Sequence, residues 1–476
     1  MDYKNIAAYN TEGVRLLKSG RYEEAIECFD KGLELDDKNA YAYNDKGVAL
    51  CELGRYEEAI ECFDKALELD DKNTTAYNGK GVALCELGRY EEAIECFDKG
   101  LELDNKNTTA YFTKGEALLV LGRYEEAIEC FDKVLELDDK NTAAYNDKGI
   151  ALGQLDRYEE AIECLDKVLE LDNKNIDAYN CKGIALLRLD RYEEAIECFD
   201  KGLELDDKNA YAYFNKGVAL RQLGRYEEAI ECFDKRLELD DKNAYAYAYF
   251  NKGVALRQLG RYEEAIECFD KALKFDNKNI DSLKNKLAAL EKLNNYKNII
   301  SCIDDILKIH DLFESDYIEE LKLKKADYLF SLEDYKRALK IYEELKTDDL
   351  KIKKKIIICF MKLNNFQKAQ KYISKLITNN KDNELYYLRG ICLFNTKKYQ
   401  ECIKDFDTAI DYKDSKFYKG LVFYYLGNNY EALSLITEYK NINEEDYSKQ
   451  YNKFKEVIDK IIIQDDKSDS SEKTDN

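Results

Sequence analysis

Cysteine and histidine are the residues of this chain that could bind a metal or take part in redox chemistry. The sequence has 476 residues, with 15 cysteines and a single histidine, His310. It contains no Cys-x-x-Cys pair and no paired cysteine and histidine spacing, the patterns that indicate zinc. One histidine leaves little scope for a histidine-activated nucleophile, and neither a Gly-x-Ser-x-Gly motif nor a phosphate-binding glycine loop is present. We therefore expect no enzyme activity, no metal and no cofactor.

Carboxylates are abundant, but their arrangement is not that of an acid/base pair or a calcium loop. Pairs such as Glu57 and Glu58 lie in the first turn of a predicted helix, where acidic residues favour the helix dipole. The recurrent Asp-Asp-Lys-Asn stretch, residues 70–73 in one copy, lacks the central glycine and the terminal glutamate of a calcium-binding loop. We interpret both patterns as solvated surface.

The cysteines instead mark a repeated element. Eight of them, from Cys28 to Cys268, take the same place in a stretch whose clearest copy is residues 54–65. Copies of this stretch begin at residues 20, 54, 88, 122, 156, 190, 224 and 260, so six intervals are 34 residues and the last is 36. Such a period predicts a solenoid of stacked helix pairs. Equivalent helices of neighbouring repeats are then separated by two helix layers, each ~8–10 Å thick. A disulfide requires two Cα atoms within ~7 Å, so these cysteines cannot form disulfides along the stack. We therefore expect reduced thiols and a cytoplasmic protein.

Each repeat is expected to contain two amphipathic helices, as residues 40–73 (the reference repeat) show. Tyr43, Gly47 and Leu50 share one face of a first helix, which Gly54 should end. A second apolar stripe follows at helical spacing: Tyr56, Ala59, Ile60, Phe63 and Leu67. Asn73 is well placed to cap the next first helix, and an asparagine stands there in every regular repeat through Asn279.

This unit resembles the tetratricopeptide repeat, a helix–turn–helix unit of 34 residues. The resemblance rests on the small and large residues at which two helices approach closely: Gly47, Ala59, Phe63 and Ala66. Tyr43 departs from the family pattern, which favours tryptophan there. The resemblance implies an all-α repeat solenoid, a right-handed superhelix whose first helices line a concave groove that binds peptides or proteins.

The chain is predicted to fall into four segments. Residues 1–280 hold eight regular repeats, and residues 281–446 hold degenerate copies with variable spacing. Residues 447–463 form an amphipathic helix suited to capping the stack, as solenoids require. The acidic, serine-rich residues 464–476 are expected to be a disordered tail, and its serines stand beside acids, as phosphorylated serines often do.

One join in the regular array is two residues longer than the others. It lies at residues 236–249, and beside it Arg236 replaces the small residue that is Ala66 in the reference repeat. Because a guanidinium group is costly in a close helix contact, we expect Arg236 to point outward and the stack to be loosened there. The join is then either a harmless lengthened turn or a hinge.

The charge of the chain is unevenly placed and bears on its partners. Residues 1–280 hold 62 acidic and 39 basic residues, a net charge of −23, whereas residues 281–476 are neutral. Nucleic-acid binders show a basic stripe, so we expect no nucleic-acid partner. No apolar run approaches the ~20 residues of a membrane span, so we expect no membrane insertion either.

What differs between repeats is the inner face of the first helices, which in the reference repeat is Tyr41, Asn44, Val48, Cys51 and Glu52. Acidic residues on the early first helices are followed in later repeats by arginines: Glu52, Glu86 and Glu116, then Arg188, Arg221 and Arg257. Aromatic residues stand beside the arginines of repeats seven and eight: Tyr211, Phe214, Tyr247 and Phe250. Arginine with aromatics is typical of binding hot spots, and guanidinium groups favour carboxylates. We predict that repeats six to eight bind an acidic or C-terminal peptide segment. The alternative is an ordinary surface in recently duplicated repeats.

Two functions from different classes follow from these features. The first is a non-enzymatic, monomeric scaffold or adaptor that binds protein segments in its groove. The alternative is a structural module that self-assembles by stacking near-identical repeat surfaces end to end. An RNA-binding helical repeat is disfavoured by the acidic array.

Overall fold

The computed structural model describes residues 3–239, 245–345, 347–378 and 381–472. These residues form 27 α-helices and one short 3-10 turn, and no strand occurs among them. The protein is therefore an all-α repeat solenoid in which consecutive helices pack as pairs. Two compact units are present, Met1–Asn277 and Lys278–Asn476.

The first unit contains eight helix pairs, each a repeat with a first and a second helix. Their bounds are α1 (Tyr3–Lys18), α2 (Tyr22–Leu35), α3 (Ala40–Glu52), α4 (Tyr56–Leu69), α5 (Thr74–Glu86), α6 (Tyr90–Leu103), α7 (Thr108–Val120), α8 (Tyr124–Leu137), α9 (Thr142–Gln154), α10 (Tyr158–Leu171), α11 (Ile176–Arg188), α12 (Tyr192–Leu205), α13 (Ala210–Gln222), α14 (Tyr226–Glu238), α15 (Tyr245–Gln258) and α16 (Tyr262–Phe275).

The second unit continues the pairing with less regular lengths. Its helices are α17 (Ile280–Lys292), α18 (Tyr296–Lys308), α19 (Ser315–Ser331), α20 (Tyr335–Glu344), α21 (Leu350–Lys362), α22 (Phe366–Ile377), α23 (Asn383–Asn395), α24 (Tyr399–Thr408), α25 (Ser415–Tyr425), α26 (Asn429–Ile442) and α27 (Glu444–Glu472). The short turn His310–Leu312 precedes α19, and α27 is kinked at Phe454.

The turn inside each repeat of the first unit is set by a residue with a left-handed backbone, which is a glycine in six of the eight repeats. In the reference repeat Gly54 has φ 71°, a conformation that costs a residue with a side chain. The Gly54 amide donates to Cys51 O and the Arg55 amide to Leu50 O, each at 2.9 Å, which satisfies the last carbonyls of α3. Asp156 and Asp190 take the same conformation in repeats five and six, with φ 57° and 56°.

The start of each first helix is fixed by the predicted asparagine cap. Asn73 Oδ1 accepts a hydrogen bond from the Ala76 amide at 3.1 Å, which satisfies a donor that has no partner within the helix. The same bond recurs at six further asparagines of the series: Asn39, Asn107, Asn141, Asn175, Asn209 and Asn279. The caps predicted at these seven places are therefore confirmed, whereas Asn243, the equivalent residue before α15, lies outside the described residues.

Close approach of the two helices depends on a glycine opposite a buried phenylalanine. Phe63 is fully buried, and a methyl group added at Gly47 would lie 2.7 Å from Cε1 of its ring. The same pair occurs in the second unit, where a methyl group at Gly390 would lie 2.6 Å from Cε1 of Phe406. Glycine is therefore required where the ring fills the space between helices.

Adjacent repeats of the first unit are joined by a ladder of ion pairs. A lysine in the middle of each first helix pairs with an aspartate on the preceding second helix: Lys46–Asp30, Lys80–Asp64, Lys114–Asp98, Lys148–Asp132, Lys182–Asp166, Lys216–Asp200 and Lys252–Asp234. The first of these spans 2.5 Å between Nζ and Oδ1. Such partly exposed pairs contribute only ~0.2–1 kcal/mol each, so they set register more than stability.

The end of the regular array and the last helix lie near the predicted segment boundaries, but the last helix is longer than predicted. The boundary between the units, after Asn277, lies close to the predicted end of the regular array at residue 280. The helix α27 includes the predicted capping segment 447–463 and also runs over residues 464–472, which were expected to be disordered. Residues 473–476 lie outside the described residues.

The expectation that Arg236 points outward is wrong. Arg236 is only 3% exposed, and its Nη1 donates to the carbonyl oxygen of Leu239 at 3.5 Å. The long side chain folds back along its own helix end, where the carbonyl accepts its charge. Residues 240–244 lie outside the described residues, so the hinge at 236–249 stays a prediction.

Candidate peptide-binding site

The predicted arginines do not share one position on the first helices. Arg188 is the last residue of α11, whereas Arg221 and Arg257 are the second-to-last residues of α13 and α15. One residue along a helix is a rotation of ~100°, so the side chains leave the helix in different directions. Arg188 is accordingly exposed, and Arg221 and Arg257 are half-buried.

The remaining arginines of the array have carboxylate or carbonyl partners. Eight of them precede the second helices, and each binds the glutamate three residues later through two parallel hydrogen bonds: Arg21, Arg55, Arg89, Arg123, Arg157, Arg191, Arg225 and Arg261. Within the described part of the chain, no ion pair joins Arg188, Arg221 or Arg257 to a carboxylate. These three arginines therefore differ from the other arginines of the array in their surroundings.

Partial burial makes two of these arginines poorly solvated. The Nε atoms of Arg221 and Arg257 are buried and have no hydrogen-bond partner among the described residues. Burial also lowers the pKa of Arg221, because the charged form loses hydration, although the group stays protonated at neutral pH. The Nε atoms are too buried for a ligand to reach, so any ligand contact with these two arginines has to be made by their terminal guanidinium nitrogens.

The four predicted aromatic residues have two different environments. Tyr211 and Tyr247 are 57% and 64% exposed. Phe214 and Phe250 are half-buried and pack against the core rings of Phe233 and Phe269, with centroids 6.0 and 6.2 Å apart. The tyrosines can therefore contact a ligand directly, whereas the phenylalanines mainly fix the adjacent helices. Asn44, expected on the inner face of the reference repeat, is 5% exposed and belongs to the helix interface.

A cavity of about 540 Å³ lies at repeats five and six and brings two of the predicted residues together. Arg188 and Tyr211 both line it. We call it the repeat-5 pocket, and its lining also includes residues that were not predicted: Ile150, Gly153, Gln154, Asp156, Tyr158, Leu165, Cys181 and Ile184. Arg221, Arg257, Phe214, Tyr247 and Phe250 are not among its lining residues.

Two substitutions in repeat five accompany the pocket. Leu165 replaces the phenylalanine that every other regular repeat has at this place, and Gly153 is the only glycine at the second-to-last position of a first helix in the array. A methyl group at Gly149 would lie 3.1 Å from Cγ of Leu165, farther than from the rings elsewhere. No atom lies within 4 Å of the place where a side chain at Gly153 would begin. Removing a ring and a side chain leaves space on the inner face.

Both substitutions could have been found in the sequence. Aligning the eight repeats shows that Leu165 and Gly153 depart from their columns, but neither looks functional, because each is a smaller apolar residue. Their joint effect depends on both positions lining one cavity, which the alignment does not show. The aligned columns also show the difference in position between Arg188 and Arg221.

The rim of the pocket carries internal polar contacts. The hydroxyl of Tyr158 donates to the carboxylate of Asp156, and this hydrogen bond raises the pKa of Tyr158. Burial, reinforced by the charges of Asp177 and Asp147, raises the pKa of Cys181 to about 11, so its thiol is uncharged at neutral pH. Arg188 is then the one lining residue of this pocket that carries a positive charge.

The thiols, the possible metal ligands and the apolar helices of the described residues bear on other kinds of site. All 15 cysteines are free thiols. Among the described residues, no group of three or more histidine, cysteine, aspartate or glutamate side chains is arranged to hold a metal ion. None of the described helices combines the length and the apolar character that a bilayer crossing requires.

Sequence profiles assign this repeat solenoid to a family. Profiles described as "Tetratricopeptide repeat" and "TPR repeat" match residues 13–52, 38–106, 154–190, 174–242, 208–278 and 384–416, together more than half of the chain. The chain belongs to the tetratricopeptide repeat family. A profile described as "Anaphase-promoting complex, cyclosome, subunit 3" also matches residues 86–168. Tetratricopeptide repeats generally serve as protein–protein interaction scaffolds, and their families are typically non-enzymatic.

Several solved structures are similar to parts of the chain. YrrB, described as a tetratricopeptide repeat protein with an unusual peptide-binding site, has 27% identity over 40% of this chain and 98% of its own, with a TM-score of 0.36. MamA from Desulfovibrio magneticus RS-1 has 28% identity over 36% of this chain and 97% of its own, with a TM-score of 0.35. A tetratricopeptide repeat protein from Parabacteroides merdae ATCC 43184 has 17% identity over 53% of this chain and 99% of its own, with a TM-score of 0.40. No curated protein matches the sequence significantly.

Proposed function

We propose that this protein is a non-enzymatic cytoplasmic scaffold or adaptor that binds an acidic or C-terminal segment of a partner protein. The segment lies along the first helices of repeats six to eight. The residues that contact or support it are Arg188, Tyr211, Phe214, Arg221, Tyr247, Phe250 and Arg257. The single observation that carries the proposal is that no carboxylate of the described residues pairs with any of the three arginines, whereas the other arginines of the array and many of its lysines have partners.

The energetic argument concerns the half-buried guanidinium groups. Arg221 and Arg257 have lost part of their hydration and have received no internal hydrogen bond at Nε in exchange. A carboxylate can bind a guanidinium through two parallel hydrogen bonds, which is a strong and directional interaction. Binding of an acidic segment at the terminal guanidinium nitrogens therefore offsets part of the hydration that these two arginines lost on folding.

The strong negative charge of the first unit does not prevent such binding. At physiological ionic strength the screening length is about 8 Å, so distant acidic residues act weakly on a bound peptide. A guanidinium in direct contact with a carboxylate is much less screened. Selectivity then depends on the local arginines and tyrosines, because screening confines the attraction to acidic residues that reach them.

Charge reversal at the three arginines tests the proposal. In the variant Arg188→Glu/Arg221→Glu/Arg257→Glu, proteins captured from a native lysate by the wild type should be lost. A matched control makes the same change of charge at three lysines of second helices that are paired with exposed glutamates: Lys133, Lys167 and Lys235. Quantitative mass spectrometry should find the wild-type partners on the control. The proposal is wrong if all three proteins capture the same partners.

The size of the protein in solution separates a scaffold from a self-assembling module. We expect a monomer whose scattering mass does not change with concentration. Growth in mass with concentration, retained in the arginine variant, would favour end-to-end stacking instead.

A further inference from the structure

The repeat-5 pocket has an apolar floor and a charged rim. Ile150 and Ile184 are half-buried and supply aliphatic surface, whereas Leu165 also lines the pocket but is only 1% exposed. Asp156 and Arg188 lie at the exposed edge. The arrangement is typical of a site that takes an apolar group and holds a polar group beside it.

The volume and chemistry of the floor fit a side chain better than water. About 540 Å³ lies within the ~300–1,000 Å³ of small-ligand pockets and is far larger than the ~30 Å³ of one water molecule. Water in the pocket would have few hydrogen-bond partners on the aliphatic floor, because ordered water needs two to four polar contacts. Its displacement by an apolar group is therefore favourable.

We propose that the repeat-5 pocket binds one large apolar side chain, such as phenylalanine, leucine or methionine, of the same acidic segment. The inference rests on the proposed function and adds an anchor to it. Arg188 stands at the rim of the pocket, and Arg221 and Arg257 follow in the next two repeats. The recognised chemistry is an extended peptide with a large apolar residue and acidic residues to one side of it.

The position of the anchor explains why Arg188 differs from the other two arginines. Because it is the last residue of its helix, Arg188 is exposed at the pocket and can reach a carboxylate beside a buried side chain. Tyr211, on the following first helix, also lines the pocket and is mostly exposed. It can cover the apolar residue while its hydroxyl remains in water.

Two substitutions can fill the pocket with residues that other repeats carry at the same positions. Gly153→Leu introduces the residue that stands at the same helix position in repeats four and six, as Leu119 and Leu187. Because no atom lies within 4 Å of the new Cβ, the side chain enters open space. A second variant, Leu165→Phe, restores the phenylalanine of the other regular repeats.

The test uses the full chain and a phage-displayed library of random twelve-residue peptides. The wild type should select peptides with a large apolar residue close to acidic residues. Replacing that apolar residue by alanine should weaken binding about tenfold to a hundredfold, measured by fluorescence polarisation. Gly153→Leu should bind the original peptide more weakly than the wild type by the same factor. It should bind the alanine-substituted peptide as tightly as the wild type does. Leu165→Phe should also lower the affinity for the original peptide, by a smaller factor.

The outcomes separate the pocket from the acidic site. If Gly153→Leu and Leu165→Phe bind the original peptide as tightly as the wild type, the anchor is refuted while the acidic site stands. If the charge-reversed variant Arg188→Glu/Arg221→Glu/Arg257→Glu binds the selected peptides unchanged, the proposed function fails and the anchor with it. A wild type that selects no peptide contradicts both.

Discussion

The glycine at the middle of each first helix gives a sharp prediction, because two opposing effects can be weighed. In Gly47→Ala the new methyl carbon would lie 2.7 Å from Cε1 and 2.9 Å from Cζ of Phe63, a ring that is fully buried. Overpacking of this kind costs ~1–3 kcal/mol. Alanine in place of a helical glycine gains ~0.5–1 kcal/mol. We expect a net loss of about 0.5–2 kcal/mol.

The same substitution at another helical glycine should have the opposite sign. Gly153 lies inside α9, and no atom lies within 4 Å of its added methyl group. Only the gain in helix propensity remains there, so Gly153→Ala should stabilise its helix by ~0.5–1 kcal/mol. Gly149→Ala should fall between the two, because the nearest atom of Leu165 is 3.1 Å away and belongs to a more adaptable side chain.

Hydrogen exchange measured by mass spectrometry is the suitable assay, because repeat arrays open locally rather than in one step. Peptides covering α3 and α4 should exchange roughly two to thirty times faster in Gly47→Ala, since about 1.4 kcal/mol corresponds to tenfold. Peptides covering α9 should exchange about two to five times more slowly in Gly153→Ala. Exchange in Gly47→Ala that is unchanged or slower would refute the requirement for glycine opposite the ring.

Three further predictions concern capping, folding kinetics and thiol chemistry. Asn73→Ala removes the bond to the Ala76 amide and should destabilise α5 by ~1 kcal/mol, seen as faster exchange at its start, whereas Asn73→Asp should retain most of the protection. The chain has no proline, so refolding should lack a phase of tens of seconds that cyclophilin accelerates, and such a phase would contradict the prediction. Cys181 has a pKa raised to about 11 by burial, so its alkylation rate should still rise between pH 9 and 10, and a plateau there would contradict the burial. Because that folded-state pKa exceeds the unfolded value, the thiol's contribution to stability should be lost between about pH 9 and 11.

The fold could be predicted from the sequence because each element has a local physical signal. Gly54 predicted a helix end, and it has the positive φ that ends α3. Asn73 predicted a cap, and its side chain makes one. A signal repeated eight times at a fixed period determines which helices are neighbours, so the architecture follows once the period is recognised.

The wrong expectation for Arg236 has a different cause. The rule that charged groups avoid close helix contacts treats the whole side chain as a charge. The structure instead buries the side chain and brings Nη1 to the carbonyl of Leu239 at the end of the helix. Where a flexible side chain finds an acceptor depends on the backbone around it, and sequence spacing contains no such information.

The candidate site was predicted only in part. Its charged and aromatic residues can be recognised by residue type, whereas its cavity depends on side chains that are missing. Arg188 and Tyr211 were found by residue type, because charged and aromatic residues stand out on a surface. Gly153 and Leu165 were missed, because a site can also be made by removing atoms. Each change alone is a modest apolar substitution, and the pocket results from both at one place.

An array of near-identical repeats supplies its own reference, and this determines where function should be sought. Every position has up to seven equivalents with the same local structure, so a departure cannot be attributed to a general requirement of the fold. The lysine–aspartate ladder and the turns between the two helices recur along the array, so we attribute them to the folding and stacking of the repeats. The pocket at Gly153 and the arginines that have no carboxylate partner among the described residues occur in successive repeats, five to eight. Repeat four also departs from the array, at Phe112 and Glu116, so the charge-reversal and pocket-filling variants decide whether the departures in repeats five to eight serve one extended ligand.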